Sequence, residues 1–340
     1  MLAKPEVFNR RLFLQPSDNY FDRRAVLNPC IIKNNEDYHI LYRAVAQDFK
    51  STIGYLRARY QAGNPVVIDR LSKPLMEPEN DFEKEGVEDP RLVWFEGEYH
   101  LFYTAWDGYH ARLGYASGGS VDSMENRRLI GPLFETGEAL KIIRENSKLG
   151  DYVKRWSEDP ADMFLWEKDA TILPERVNNK IVMIHRLRPD IQVAYLDSLE
   201  QLDDRGFWED YLRHMDQYRM MLRKEPWEES HIGMGPVPIK TDAGWLMIYH
   251  GVTNRPRLTY RAGAALFDLN DPQRLIGKTK EPLFEPVEDW EKSGDVNNVV
   301  FPEGLVVHDG ILDIFYGGAD TVIGVISVRL DQLLDYLQSV

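Results

Sequence analysis

Five stretches of this chain share one pattern, and that repetition restricts the fold more than any other property of the sequence. They are "NEDYHILYRA" (Asn35–Ala44), "EGEYHLFYTA" (Glu96–Ala105), "NNKIVMIHRL" (Asn178–Leu187), "DAGWLMIYHG" (Asp242–Gly251) and "HDGILDIFYG" (His308–Gly317). Each is a polar turn running into an aromatic-rich strand whose side chains alternate. A second apolar strand follows: "TIGYLRARY", "RLGYASG", "IQVAYLD", "YRAGAALFD" and "VIGVISVRL". A short strand also precedes each copy, in "NPCIIK", "DPRLVWF", "DATILPE", "GPVPIK" and "VVFPEGLVV". Turn, alternating strand, turn, strand is the grammar of antiparallel hairpins.

Successive copies lie roughly 60–80 residues apart, longer than common propeller repeats. Sheet modules that cannot each bury both faces are closed most simply by radial packing. The expected fold is therefore all-β, a five-bladed β-propeller with short helical insertions and a C-terminal helix, forming one catalytic domain over residues 1–340. A pair of stacked sheets is the alternative and accounts less well for five near-equal modules. Residues before about Asn28 are expected to complete the last module, because a ring needs its ends joined.

Two stretches break the rhythm, Gly137–Trp166 and Asp203–Glu229. In the second, Trp208, Leu212, Met215, Tyr218 and Leu222 follow a 3.6-residue period, which predicts an amphipathic helix. Such a helix packs on its own module, or meets a substrate cleft or a second subunit. The tail "LDQLLDYLQ" reads as a terminal helix.

The formal net charge is −14, from 41 basic and 55 acidic residues. That excludes broad nucleic-acid or anionic-membrane binding, which needs a basic footprint. A single cysteine, Cys30, excludes an internal disulfide and a cysteine-built zinc site. The start "MLAKPEVFNRRLFLQ" lacks the apolar stretch of a signal peptide, so the expected location is cytoplasmic. The chain contains no glycine-rich phosphate loop, nucleophile elbow or dinucleotide fingerprint.

Polar residues collect where the modules begin and where their hairpins turn. Asn28 precedes the first module, Glu88-Asp89-Pro90-Arg91 the second, and Glu167-Lys168-Asp169 the third. "SHIGMGP" (Ser230–Pro236) precedes the fourth. Arg43, Asp107, Arg186, His250 and Asp320 lie at or just past the ends of the echoed strands. Any one of these is an ordinary cap or turn residue; the recurrence suggests a polar pocket at a common axis. His185, His231 and His250 have no short metal-ligand spacing, so no metal is expected. Carboxylates facing a channel with Arg, Lys and His suit a sugar and an anion. A carboxylic acid can protonate a glycosidic oxygen, and cationic groups can hold phosphate.

These segments resemble glycoside hydrolase family 130, the β-mannoside phosphorylases and mannosidases on five-bladed propellers. The most specific pieces are "GVEDPRL", "YTAWDG", "IGMGPVPIKTDAGWLMIYHGV" and "GDVNNVVFPEG". The resemblance implies an inverting reaction with Asp89 as general acid, its proton relayed through the mannosyl 3-hydroxyl. It implies that Asn28, Arg43, Asp107 and Asp320 hold the sugar, with Arg91 and Asp169 beside them. Phosphate would fall to Lys168, Arg186, His231 and His250, with Arg188 replacing or supplementing Arg186. Asp169 stands where some members have Asn, and His231 where some have Lys. Histidines titrating near neutrality would make the anion site weaken as pH rises. The expected reaction is phosphorolysis of a β-linked manno-oligosaccharide to α-mannose 1-phosphate. Inorganic phosphate is then a co-substrate, no cofactor is needed, and a homo-oligomer is compatible. The alternative is hydrolysis, with Glu228, Glu229 or Asp169 activating water; a non-catalytic carbohydrate-binding propeller ranks below both.

Overall fold

The computed structural model describes residues 2–340 and places the five echoes in five antiparallel units. The first comprises Ala25–Asn34, Asp37–Val45, Ser51–Gln61 and Asn64–Arg70. The second comprises Gly86–Phe95, Glu98–Trp106, Ala111–Ser120 and Ser123–Ile130. Glu167–Ile172, Ile181–Leu187, Ile191–Leu196 and Arg219–Met221 make the third. In the fourth, Gly244–Thr253 pairs on one side with both His231–Met234 and Ile239–Thr241, and on the other with Thr259–Phe267, which pairs with Leu275–Lys278. The fifth consists of Val300–His308, Ile311–Gly318 and Val322–Arg329, completed by Val7–Leu14. Residues before Asn28 thus complete the last unit, as the sequence suggests.

A single parallel pairing, Ser51 with Gly86, joins the first two units into one eight-stranded sheet. The other three units are separate open sheets. Strands of neighbouring units lie side by side. Gly86–Phe95 touches Ala25–Asn34 and Glu167–Ile172, and His231–Met234 touches Glu167–Ile172. Val300–His308 touches both Ala25–Asn34 and Gly244–Thr253.

A repeated buried contact explains why the echoed strands look alike. Tyr42, Tyr103, Tyr249 and Tyr316 occupy equivalent places, each directly opposite a glycine of the next strand: Gly54, Gly114, Gly263 and Gly324. A Cβ on any of these glycines would lie within 2.7 Å of the tyrosine ring, so only glycine leaves room. Each hydroxyl donates to a buried carboxylate: Asp22 at 3.2 Å, Glu83 at 2.9 Å, Glu228 at 2.7 Å and Glu291 at 2.6 Å. A cation neutralises each carboxylate in turn, from Arg70, Arg127, Lys278 and Arg10. Glu83, Glu228 and Glu291 also cap short helices by accepting backbone N–H groups. The third unit departs from this scheme. His185 stands opposite Gln192, with its ring between Glu167 (2.5 Å) and the Tyr211 hydroxyl (2.8 Å).

The interrupting stretches form helices Thr136–Ile143, Gly150–Trp156 and Arg205–Arg213. Their Ile143, Tyr152, Trp156, Trp208 and Leu212 share one core with Phe102 and Tyr115 of the second unit and Met183 and Ala194 of the third. The predicted helix through Leu222 is shorter than its period implies. It ends at Arg213 because His214 leaves helical geometry (φ −112°, ψ 17°), and Arg219–Met221 becomes the third unit's outer strand. Period alone could not separate a helix from a helix followed by a buried strand. The C-terminal helix Leu330–Ser339 is present and buries Leu333, Tyr336 and Leu337.

Candidate active site

The polar prefixes are β-bulges. The first strands of the first three units each lose register at one place, between Leu27 and Cys30, Glu88 and Arg91, and Lys168 and Thr171. Within those bulges Asn28, Asp89 and Asp169 adopt left-handed backbone, with φ of 50°, 52° and 56°. Asn and Asp tolerate this region better than other residues with a Cβ, and a bulge re-aims its side chain. All three line one cavity of about 240 Å³, together with Arg43, Lys168, Arg186, His250 and Asp320. A larger groove of about 650 Å³ beside Trp94 and Tyr99 collects no comparable set of charges.

Asp89 is the centre of this network. Asn28 Nδ2 donates to its Oδ1 at 2.7 Å, and Arg43 lies 3.5 Å from the same oxygen. Lys168 Nζ is 4.0 Å from Oδ2 and 3.7 Å from Glu88 Oε2. Arg43 is itself fixed, donating to Glu88 at 2.7 Å and Ser51 at 3.0 Å. Burial raises the Asp89 pKa, but Arg43, Lys168 and the Asn28 hydrogen bond outweigh it and hold the group below its ordinary value. Asp320 moves the other way. Burial pushes it up to about 6 against the pull of Arg43, with Asp89 adding repulsion.

The far wall is Asp169, Arg186 and His250. Arg186 Nε lies 2.9 Å from Asp169 Oδ2, and His250 Nε2 lies 3.8 Å from the same oxygen. Both His250 nitrogens are buried without a hydrogen-bond partner, and the ring packs 4.3 Å from Phe301. Burial, then Arg186 and Arg91, drives the His250 pKa well below its usual value; burial and Arg186 do the same to His231. This runs against the expectation of a histidine-tuned anion site, because both rings are pushed towards their neutral form.

Several expected residues sit elsewhere. Arg91 is 2% exposed and lies beneath the cavity, donating to Gly235 O at 2.7 Å and contacting Glu303 at 2.6 Å and Asp169 at 3.3 Å. Asp107 closes its own Asp-Gly turn, bound to His110 and Arg112, and faces a neighbouring cleft with Trp106 and Tyr109. His231 is one ring behind the wall, its centroid 6.2 Å from that of His250. Glu228 is the fourth unit's tyrosine-bound carboxylate, and Glu229 accepts from the backbone of Asn254; neither lines the cavity. Arg188 stacks over Trp166 at 4.8 Å, and burial with Arg186 lowers its pKa to about 10. Glu88 was named in its prefix without a role of its own, and Glu303 and Tyr260 were not singled out, although "FPEG" contains the former. Among the described residues no group of three or more His, Cys, Asp or Glu is arranged to hold a metal ion.

Residues 4–339 match the family model of glycoside hydrolase family 130, described as beta-1,4-mannooligosaccharide phosphorylase. The chain belongs to this family. Family relatives include the 1,2-beta-oligomannan phosphorylase of Thermoanaerobacter sp. (strain X514), 32% identical over 98% of this chain and 99% of that protein. The Beta-1,2-mannobiose phosphorylase of the same organism is 30% identical over 98% and 99%. The solved Beta-1,2-mannobiose phosphorylase from Listeria innocua, in complex with beta-1,2-mannobiose, superposes with a TM-score of 0.72. At 22% identity over 99% of this chain and 100% of that one, it supports the family's fold.

Proposed function

We propose that this family 130 chain is an inverting β-mannoside phosphorylase releasing α-mannose 1-phosphate, and that its five units are the blades of a single-domain propeller. The observation that carries the reading is the shared cavity, where a buried carboxylate at Asp89 faces the cations Lys168 and Arg186. The relatives' names point the same way. The succession of contacts between neighbouring units supports the blade arrangement.

In this reading a mannosyl ring lies against Asn28, Arg43, Asp89 and Asp320. Phosphate lies towards Lys168, Arg186 and His250. A phosphate oxygen attacks the anomeric carbon from the face opposite the departing sugar, so configuration inverts. The proton reaches the leaving oxygen through Asp89. Hydrogen phosphate supplies that proton in the net reaction, so Asp89 holds it only transiently, in keeping with its depressed pKa. Binding an anion beside Lys168 also reduces the positive field on Asp89 and raises its proton affinity for the step. No cofactor enters beyond the co-substrate phosphate. A sugar phosphate kept inside the cell conserves the energy of the bond, which favours a cytoplasmic setting.

The test incubates β-1,2- and β-1,4-mannobiose with and without phosphate, following mannose and mannose 1-phosphate separately. Phosphate-dependent mannose 1-phosphate is expected, with turnover falling about 10²–10⁴-fold in Asp89→Asn while the melting temperature holds. Equal release of free mannose in phosphate-free buffer would make water the nucleophile and overturn the reading.

A further inference from the structure

Arg186 is only 8% exposed, and among the described residues its one ionic partner is Asp169. Their 2.9 Å contact is misaligned for hydrogen bonding, and both Arg186 Nε and Asp169 Oδ2 are buried without a hydrogen-bond partner. Asp169 cannot swing away. Its backbone is fixed in the bulge at φ 56°, and Arg91 donates to its other oxygen at 3.3 Å. Gly233 stands opposite, and a Cβ there would come within 2.3 Å of Oδ2, so this glycine makes the space the carboxylate occupies. His250, pushed towards its neutral form, does not offset the negative charge. Lys168 and Arg43, the other cations lining the cavity, are both shared between Glu88 and Asp89.

We infer that Asp169 is a specificity-determining residue that weakens anion binding by holding a fixed negative charge against Arg186. The inference rests on the phosphorylase reading above. A phosphate dianion bound to the outer N–H groups of Arg186 must share that guanidinium with a carboxylate that cannot retreat. In a buried site the repulsion is little screened. The consequence concerns product as much as substrate. An unopposed arginine would hold the sugar phosphate as firmly as phosphate, whereas a compensated one lets the two exchange.

The experiment measures initial rates on β-1,2-mannobiose for wild type and Asp169→Asn over a range of inorganic phosphate, reading mannose 1-phosphate and free mannose separately. The phosphate KM is expected to fall at least about fivefold in Asp169→Asn, with a lower kcat as mannose 1-phosphate leaves more slowly. In an Arg186→Gln background the phosphate KM should be raised overall, and the same substitution should still lower it, because the carboxylate repels the dianion with or without the guanidinium. Should the asparagine variant not fold, as judged by its melting transition, Asp169→Ser makes the same comparison. A phosphate KM that is unchanged or raised, with product still phosphate-dependent, overturns the inference and leaves the phosphorylase reading standing. Wild type that releases mannose without phosphate, and loses this in Asp169→Asn, identifies Asp169 as a base for water and overturns both.

Discussion

Left-handed backbone at Asn28, Asp89 and Asp169 turns three short polar side chains out of their strands towards one point, and Asp320 (φ 51°) meets them from a hairpin turn. Strain of this kind persists where the surrounding structure over-determines it, and here the surroundings are hydrogen bonds and ion pairs from neighbouring units. Asp320 carries a consequence for stability. Its folded pKa of about 6 lies above the ordinary 3.8, so the protein binds this proton more tightly when folded. That contribution is complete below about pH 4 and is lost as pH rises through about 6. Asp320→Asn should flatten this part of the profile, gaining on wild type in chemical-denaturation stability between pH 4 and 7. A constant difference across that range would refute the assignment. The residue types at the site were legible in the sequence, because polar groups before apolar strands are costly for folding alone. Their partners were not: Asn28 and Asp89 are 61 positions apart. Nothing in "EDPR" says that the arginine turns under the cavity rather than into it.

At the scale of elements, the tyrosine–carboxylate–cation contact recurs in four units and settles what Glu228 does. Its oxygens receive the Tyr249 hydroxyl, Lys278 at 2.7 and 2.8 Å, and two backbone N–H groups. Removing its charge would leave Lys278 buried without a counter-ion. Glu228→Gln is therefore expected to cost about 3–5 kcal/mol of stability in denaturant titration, with kcat of the folded fraction close to wild type. A stable variant with abolished turnover would return Glu228 to the chemistry. The alternating strands were readable because a period of two survives any change of residue identity. Glu83, Glu228 and Glu291 were not, because a buried capping glutamate has the same local sequence as an exposed one. The stretch from Trp208 to Leu222 misled for a related reason. Trp208, Leu212, Met215 and Tyr218 face one core, but the backbone then changes from helix to strand, and Met220 and Met221 enter another.

Across the whole molecule, Arg91 is where the units meet. From the second unit its guanidinium reaches Asp169 of the third, the Met234 and Gly235 carbonyls of the fourth and Glu303 of the fifth. The first and fifth units touch through Ala25–Asn34 and Val300–His308, and the chain also ties them together, because the strand Val7–Leu14 leaves the start of the chain to pair beside Val322–Arg329. The two ends finish together, with Leu2 N donating to Ser339 Oγ at 3.2 Å. In chain order this strand comes first, yet its partners are made last, so the final sheet cannot assemble until nearly the whole sequence is available. The backbone is in effect a loop cut once, and the position of the cut is incidental to the packing. A circular permutant with residues 2 and 340 joined by a short linker, and new ends opened at the exposed Ala62–Gly63 turn, should fold and keep the mannoside phosphorylase activity of the parent. A permutant that stays unfolded would mean that the order in which the units leave the ribosome matters as much as where they end up.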